Sequence, residues 1–244
     1  MTTISAQEAR TPLVIAHRGD SCLALENSPD AIRRAVSLPV DMIEIDTRKS
    51  RDGVLFVMHD RETGRTAVEN IDIERSTAEE VSRVRLRNGE PVPTLAHVLG
   101  LVAGRAALDL EIKSKGAGEL AARHLLSSGY TGEVLITSFH ERELLAANRV
   151  APALPLAGIF DTFPTRHVKR YKAKGYRTVC IEKRGATLEL MAACREEGVN
   201  VYVWTVDDED EMRKFIAWGV DGICTNRPGM LKEVIRRVHD QCPV

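Results

Sequence analysis

Asp41-Met42-Ile43-Glu44-Ile45-Asp46 reads as a short buried β-strand carrying two carboxylates. Side chains alternate across a strand, so Glu44 and Asp46 share one face while Ile43 and Ile45 share the other. Two acids on the inner face of an apolar strand are costly unless a cation neutralises them. Carboxylate oxygens suit a hard divalent ion, Mg²⁺ or Ca²⁺. The competing reading is an edge strand with both acids in water, and this segment alone leaves the two even.

The same pattern recurs downstream. In Ala106-Ala107-Leu108-Asp109-Leu110-Glu111-Ile112-Lys113 the polar residues Asp109, Glu111 and Lys113 share one face and the apolar residues Leu108, Leu110 and Ile112 the other. Further short strands are expected at 13–16, 134–138, 156–160, 178–182, 200–206 and 221–225. Helical sequence falls near 117–128, 141–149, 165–174, 187–197, 208–218 and 229–239, with Gly129, Gly175, Gly198 and Gly219 where helices would stop. An earlier helix opens at Glu26-Asn27-Ser28-Pro29-Asp30, with Asn27 or Ser28 as its N-cap.

After Asp46 the next apolar run, Val54 to Met58, comes too soon for a parallel crossover, and Asp52-Gly53 signals a turn. Residues 47–58 therefore read as a hairpin that returns His59 to the rim occupied by Glu44 and Asp46. Residues 61–104 lack a clear strand. Ser76-Thr77-Ala78-Glu79 has capping-box spacing, and Thr94 is placed to cap a helix through about Val102. This inserted stretch is expected to cover one side of the mouth. Eight βα units in 244 residues is the arithmetic of a TIM (β/α)8 barrel, read as one domain over 1–244. A doubly wound sheet would want a G-x-G-x-x-G loop after its first strand, which is absent.

The formal net charge of −1 gives no bulk attraction to nucleic acid or to an anionic membrane. Met1–Arg10 is polar, unlike a signal peptide, and no run approaches the roughly 20 apolar residues of a membrane span. The five cysteines, Cys22, Cys180, Cys194, Cys224 and Cys242, are odd in number and form no C-x-x-C. Reduced thiols in a cytoplasmic protein are expected, without a disulfide framework or structural zinc.

In such a barrel the functional groups lie at the C-terminal strand ends. His17 and Arg18 follow the first strand, Glu44 and Asp46 lie on the second, and His59 is on the hairpin. Glu111 and Lys113 end the third barrel strand, and Trp204 ends the seventh. Three carboxylates can hold one hard cation, two histidines can trade a proton near neutral pH, and Arg18 and Lys113 can offset phosphate charge. Metal-assisted phosphodiester cleavage uses all these parts. Glu182 has inward parity and is a candidate substrate contact, and Phe139 a candidate for the mouth. Asp109 is read as a structural hydrogen-bonding group one layer down. Asp207 to Glu211 is read as a helix-start acidic cluster. His97, His124, His140, His167 and His239 are read as structural, and Lys169, Lys172 and Lys174 as a solvated face.

These motifs in this order resemble the glycerophosphodiester phosphodiesterase family. They are His17-Arg18-Gly19, Glu26-Asn27-Ser28, Glu44-Ile45-Asp46, Val57-Met58-His59-Asp60, Glu111-Ile112-Lys113, Trp204-Thr205 and the segment from Gly219 to Ile223, with Arg65-Thr66 and Pro93-Thr94-Leu95 as further signposts. The resemblance implies a barrel hydrolase that splits small glycerophosphodiesters into glycerol 3-phosphate and an alcohol. It implies a divalent ion, Mg²⁺ or Ca²⁺, on Glu44, Asp46 and Glu111, with His17 and His59 as the acid–base pair. His59 would protonate the leaving alkoxide and His17 would activate the attacker. Arg18 and Lys113 would hold the non-bridging oxygens, and Trp204 would wall the glycerol side. Ser28 stands where the family usually has Thr, Asn226 where Asp is frequent, and His97 at an often acidic position. Two alternatives stay open. A lysophospholipase D or sphingomyelinase D type enzyme would need an apolar ramp at the mouth, for which Phe139, Phe160, Phe163 and Trp204 are the candidates. An inactive binding barrel would have lost a histidine or carboxylate, and none is lost.

Overall fold

The computed structural model describes residues 11–241, so the readings of Met1–Arg10 and Cys242 lie outside the described residues. The strands are β1 (Leu13–Ala16), β2 (Met42–Lys49), β3 (Leu55–Val57), β4 (Ala107–Ile112), β5 (Val134–Ser138), β6 (Leu156–Phe160), β7 (Thr178–Glu182), β8 (Asn200–Trp204) and β9 (Gly222–Thr225). Eight of them are parallel and run around the ring in the order β1-β9-β8-β7-β6-β5-β4-β2, and β1 pairs with β2 to close it. This is the expected TIM barrel. β3 runs antiparallel to the upper part of β2, as the Asp52-Gly53 turn predicts.

Around the ring lie α1 (Pro29–Ser37), α2 (Ala78–Arg83), α3 (Leu95–Val102), α4 (Ala117–Ser127), α5 (Glu141–Val150), α6 (Val168–Ala173), α7 (Leu188–Glu197), α8 (Glu209–Trp218) and α9 (Pro228–Gln241). Ser28 caps α1 by accepting from Ala31 N, so of the two cap candidates Ser28 is the one used. The capping box of α2 sits one residue later than the spacing suggested. Thr77 is the N-cap and Glu80 closes the box, because Asp52 accepts from Ala78 N and fixes where the helix begins. α6 has only six residues, and a 3₁₀ turn (Thr165–His167) precedes it, so the helix read at 165–174 is shorter than expected.

Period-2 alternation places each face. Ile43, Ile45, Leu108, Leu110 and Ile112 are fully buried between sheet and helices. Met42, Leu135, Ala157, Ile159, Cys180, Tyr202 and Cys224 fill the barrel interior beneath the mouth. Inward parity thus carries Glu44 and Asp46 onto the inner face above that apolar floor. The parallel register of β2 and β4 sets Glu44 level with Asp109 and Asp46 level with Glu111. The insertion forms its own apolar cluster, in which Ile73, Val81 and Leu86 pack on Phe56 and Met58 and so brace the hairpin.

The segment after β4 is held by a buried acid. Glu143 of α5 accepts from Gly116 N and Gly118 N, so it caps the N-terminus of α4, where no side chain of α4's own cap does. Its burial is offset by the unpaired N–H groups and positive end of that helix. Glu143→Ala is expected to lower stability by about 1–3 kcal/mol, since the buried Gly118 N–H and the more exposed Gly116 N–H lose their acceptor. Urea unfolding checks this, and a change within about 0.5 kcal/mol, the range of ordinary surface substitutions, would contradict it.

Candidate active site

The C-terminal strand ends enclose a cleft of about 270 Å³ lined by His17, Arg18, Glu44, His59, Glu111, Lys113, Phe139 and Trp204, among others. Ligand oxygens of Glu44, Asp46 and Glu111 all lie within 4.8 Å of one another. The three acids are 5, 0 and 9% exposed. The turn after β1 is bent to meet them. Arg18 (φ 57°) and Asn27 (φ 57°) both adopt the left-handed conformation that non-glycine residues rarely take. Gly19 (φ 82°) packs so closely on Ala31 that a Cβ would lie 2.6 Å from its backbone carbon. In this conformation Arg18 N donates to Glu44 Oε2 at 2.8 Å. Asn27 Nδ2 donates to Asp46 Oδ2 at 2.8 Å, and Asn27 Oδ1 accepts from Asp46 N at 3.3 Å.

Two cations face the acids. Lys113 Nζ lies 2.9 Å from Glu111 Oε1 and 3.4 Å from Asp46 Oδ1. Arg18 Nε stands 3.1 Å from Asp46 Oδ2 but off the hydrogen-bond direction. Burial pushes the Asp46 carboxyl up, yet Arg18 and Lys113 together outweigh it and hold the group down at about 2. The neighbouring acids go the other way. Burial and the Asp46 charge raise Glu44 well above the usual carboxylate range and Glu111 to about 8. Asp109 is pushed up to about 7 by burial, against a hydrogen bond from Thr137 Oγ1 at 2.5 Å. That bond is the kind read for Asp109, which also reaches the cleft lining. Buried acid thus exceeds what Arg18 and Lys113 neutralise. Glu44 Oε1 and Asp46 Oδ1 are buried without a hydrogen-bond partner. Hard oxygen donors that outnumber the two cations, two of those oxygens lacking a hydrogen bond, fit a divalent cation.

Two imidazoles line the same cleft. His17 Nδ1 lies 2.7 Å from Asn226 Oδ1, and its Nε2 lies 3.9 Å from Glu44 Oε2. Burial, then the Arg18 charge, lowers His17 to about 4. His59 Nδ1 lies 2.7 Å from Asp60 Oδ1. Its pKa is also lowered, first by burial, against the opposing pull of Asp46 and Asp60. Arg65 of the insertion grips Asp60 and, at 2.7 Å, Glu26, which in turn binds Arg18 at 2.8 Å. The insertion therefore braces His59 and Arg18 through Arg65. Phe139 and Trp204 meet edge-to-face at 5.7 Å, with Lys113 Nζ 5.8 Å from the Phe139 centroid.

All eight site residues read from the sequence meet here, Asp46 behind the cleft lining as a member of the acid cluster. Other readings change. Glu182 accepts from Arg184 and does not line the cleft. Asp207 is not part of a helix-start cluster. Asp208 caps α8, and Asp207 accepts instead from Thr225 and Asn226. Lys169, Lys172 and Lys174 keep the solvated face read for them, with surface pairs to Glu197 and Glu141. Phe160 and Phe163 pack with Tyr171 and leave only Phe139 and Trp204 of the ramp candidates at the cleft. Sequence reasoning missed the roles of Asn27, Asp60, Arg65, Asp207 and Asn226. Asp60 was adjacent to His59 and so open to view, whereas the other contacts span 19 to 209 residues.

Fold and centre together define a (β/α)8 barrel protein with a cation-fitting acidic cluster and two histidines in one cleft at the strand ends. The chain belongs to the glycerophosphoryl diester phosphodiesterase family, whose model matches residues 17–230. It is 31% identical over 241 residues to a glycerophosphodiester phosphodiesterase of Caldanaerobacter subterraneus subsp. tengcongensis, covering 92% of this chain and 98% of that one. It is 29% identical over 247 residues to a glycerophosphodiester phosphodiesterase of Arabidopsis thaliana, covering 95% of this chain and 75% of that one. Its fold matches an Oleispira antarctica phosphodiesterase solved in complex with the product sn-glycerol-3-phosphate, with TM-score 0.86, 22% identity and coverage of 93% and 97%.

The raised acids give a sign to cation binding. Glu111 holds its proton below about pH 8, while a cation binds the ionised form, so protons and cation compete. Affinity for Mg²⁺ or Ca²⁺ is expected to climb as pH rises through neutrality, with protons released on binding, because Glu44 and Glu111 are both raised. Titration calorimetry in buffers of different ionisation enthalpy checks this. Affinity independent of pH with no proton release would contradict it.

Proposed function

We propose that the protein hydrolyses small glycerophosphodiesters to glycerol 3-phosphate and an alcohol, with His17 and His59 as base and acid beside a divalent cation. Family membership supports the reaction class. The observation that carries the division of labour is the difference between the two Nδ1 partners. His59 faces the carboxylate of Asp60, which stabilises an imidazolium, whereas His17 faces the neutral amide of Asn226. A proton donor gains from the first setting and a proton acceptor from the second.

Glu44, Asp46 and Glu111 would hold the cation, Mg²⁺ or Ca²⁺, which when bound supplies Lewis-acid stabilisation of the charge growing on the phosphoryl oxygens. Arg18 and Lys113 hold the non-bridging oxygens and orient phosphorus between the imidazoles. His17 Nε2 takes the proton of the attacking hydroxyl, and His59 Nε2 gives one to the departing alkoxide. Phe139 and Trp204 exclude water from the glycerol side. We read the chain as one barrel domain. The free state of Cys22, Cys180, Cys194 and Cys224 supports a reducing compartment such as the cytoplasm.

Glycerophosphocholine and lysophosphatidylcholine, each assayed with Mg²⁺ or Ca²⁺ and then with chelator, test the reading. Chelator-sensitive release of glycerol 3-phosphate is expected. His17→Ala and His59→Ala are each expected to lower kcat by about 10²–10⁴-fold. Activity confined to the acylated substrate, or variants as active as the parent, would contradict the proposal.

A further inference from the structure

Three strand ends meet at the seam that closes the barrel. His17 follows β1, Asp207 lies just beyond β8, and Asn226 follows β9. Asn226 Oδ1 is 2.7 Å from His17 Nδ1 and 2.8 Å from Ser21 Oγ, whose single proton is shared between that oxygen and the His17 carbonyl at 2.7 Å. A primary amide can present either end. Here the choice is made by Asp207, whose Oδ2 accepts from Asn226 Nδ2 at 2.6 Å. The other oxygen, Oδ1, accepts from Asn226 N at 2.8 Å and from Thr225 Oγ1 at 3.0 Å. An ionised carboxylate only accepts, so the amide NH₂ must face Asp207 and the amide oxygen must face His17. That oxygen can only accept, so the His17 proton must sit on Nδ1, leaving the Nε2 lone pair toward the cleft. A reversed amide would donate to Nδ1 and force the proton onto Nε2, where the ring could no longer act as a base.

We propose that Asp207 and Asn226 are positioning residues that together lock His17 in its Nδ1–H tautomer, with Nε2 free to accept a proton. The carboxylate of Asp207 is spent on this, since Asp208 provides the α8 cap through its own Oδ1 to Asp210 N and Glu211 N. The lock rests on the reading of His17 as the base, but the tautomer itself can be read without any turnover.

The test uses the full chain with Mg²⁺ bound, ¹⁵N-labelled at histidine, with His17 assigned through His17→Gln. Nitrogen shifts report which ring nitrogen carries the proton, and kinetics on glycerophosphocholine are run in parallel. The parent is expected to show a protonated Nδ1 and a bare Nε2. Asn226→Leu removes the acceptor, and Asp207→Ala frees the amide to flip. Both are expected to move the His17 signals toward the other tautomer and to lower kcat at least tenfold with KM unchanged. The exchange Asp207→Asn with Asn226→Asp keeps every hydrogen bond with donor and acceptor reversed between the two residues, and still offers His17 an acceptor. It is expected to restore the Nδ1–H signature, with the kcat–pH profile moved to higher pH because a carboxylate then faces His17. His17 signals unmoved in a folded Asn226→Leu protein, or an exchange variant without the Nδ1–H signature, would overturn the lock. Signals that respond as expected in a protein that cleaves no glycerophosphodiester would leave the lock standing and overturn the proposed reaction instead.

Discussion

Three carboxylates crowded within 4.8 Å of one another inside a barrel mouth are the constraint on which the rest of the structure depends. Their mutual repulsion and loss of water oppose folding. The chain answers with groups placed from several elements. Asn27 grips Asp46 from the turn before α1, the Arg18 backbone donates to Glu44, and Lys113 spans Glu111 and Asp46. The left-handed backbone at Arg18 and Asn27 is the local cost of aiming those donors inward. It is tolerated because the outer faces of β2 and β4 are seated in the apolar layer beneath the helices.

The same mouth separates polar from apolar. Charged groups come from β1, β2, β4 and the hairpin, while Phe139, Ile159, Tyr202 and Trp204 line the opposite wall. A phosphodiester fits such an arrangement with its charge toward one side and its organic part toward the other. The imidazoles differ in kind as well as in place, because one leans on a carboxylate and the other on an amide. Burial lowers both imidazoles, so the pair differs in the partner each Nδ1 meets and not in the direction of its shift.

Much of this was legible in the chain. Alternation in 41–46 and 106–113 placed the acids on the inner face, and the short gap after Asp46 with Asp52-Gly53 gave the hairpin that returns His59. The level pairing of Asp46 with Glu111 was less accessible, because it is a matter of barrel register rather than of either strand alone. Local competition moved the α2 cap by one residue, through an Asp52 contact 26 positions away. Least legible were the supports of His17. Asp207 looks in sequence like one more acid at a helix start, and Asn226 like a departure from a family pattern. Only closure of β9 against β1 brings them to an imidazole 209 residues distant.

The central claim is that Glu44, Asp46 and Glu111 form one cation site between the two histidines. The most direct measurement is anomalous diffraction from crystals grown with Mn²⁺, a hard ion with the same preference for oxygen. A single strong peak is expected in the mouth, bonded to an oxygen of each of the three acids, with His17 and His59 on opposite sides of it. A peak bound elsewhere, or the three carboxylates engaging Lys113 and Arg18 alone at saturating Mn²⁺, would contradict it.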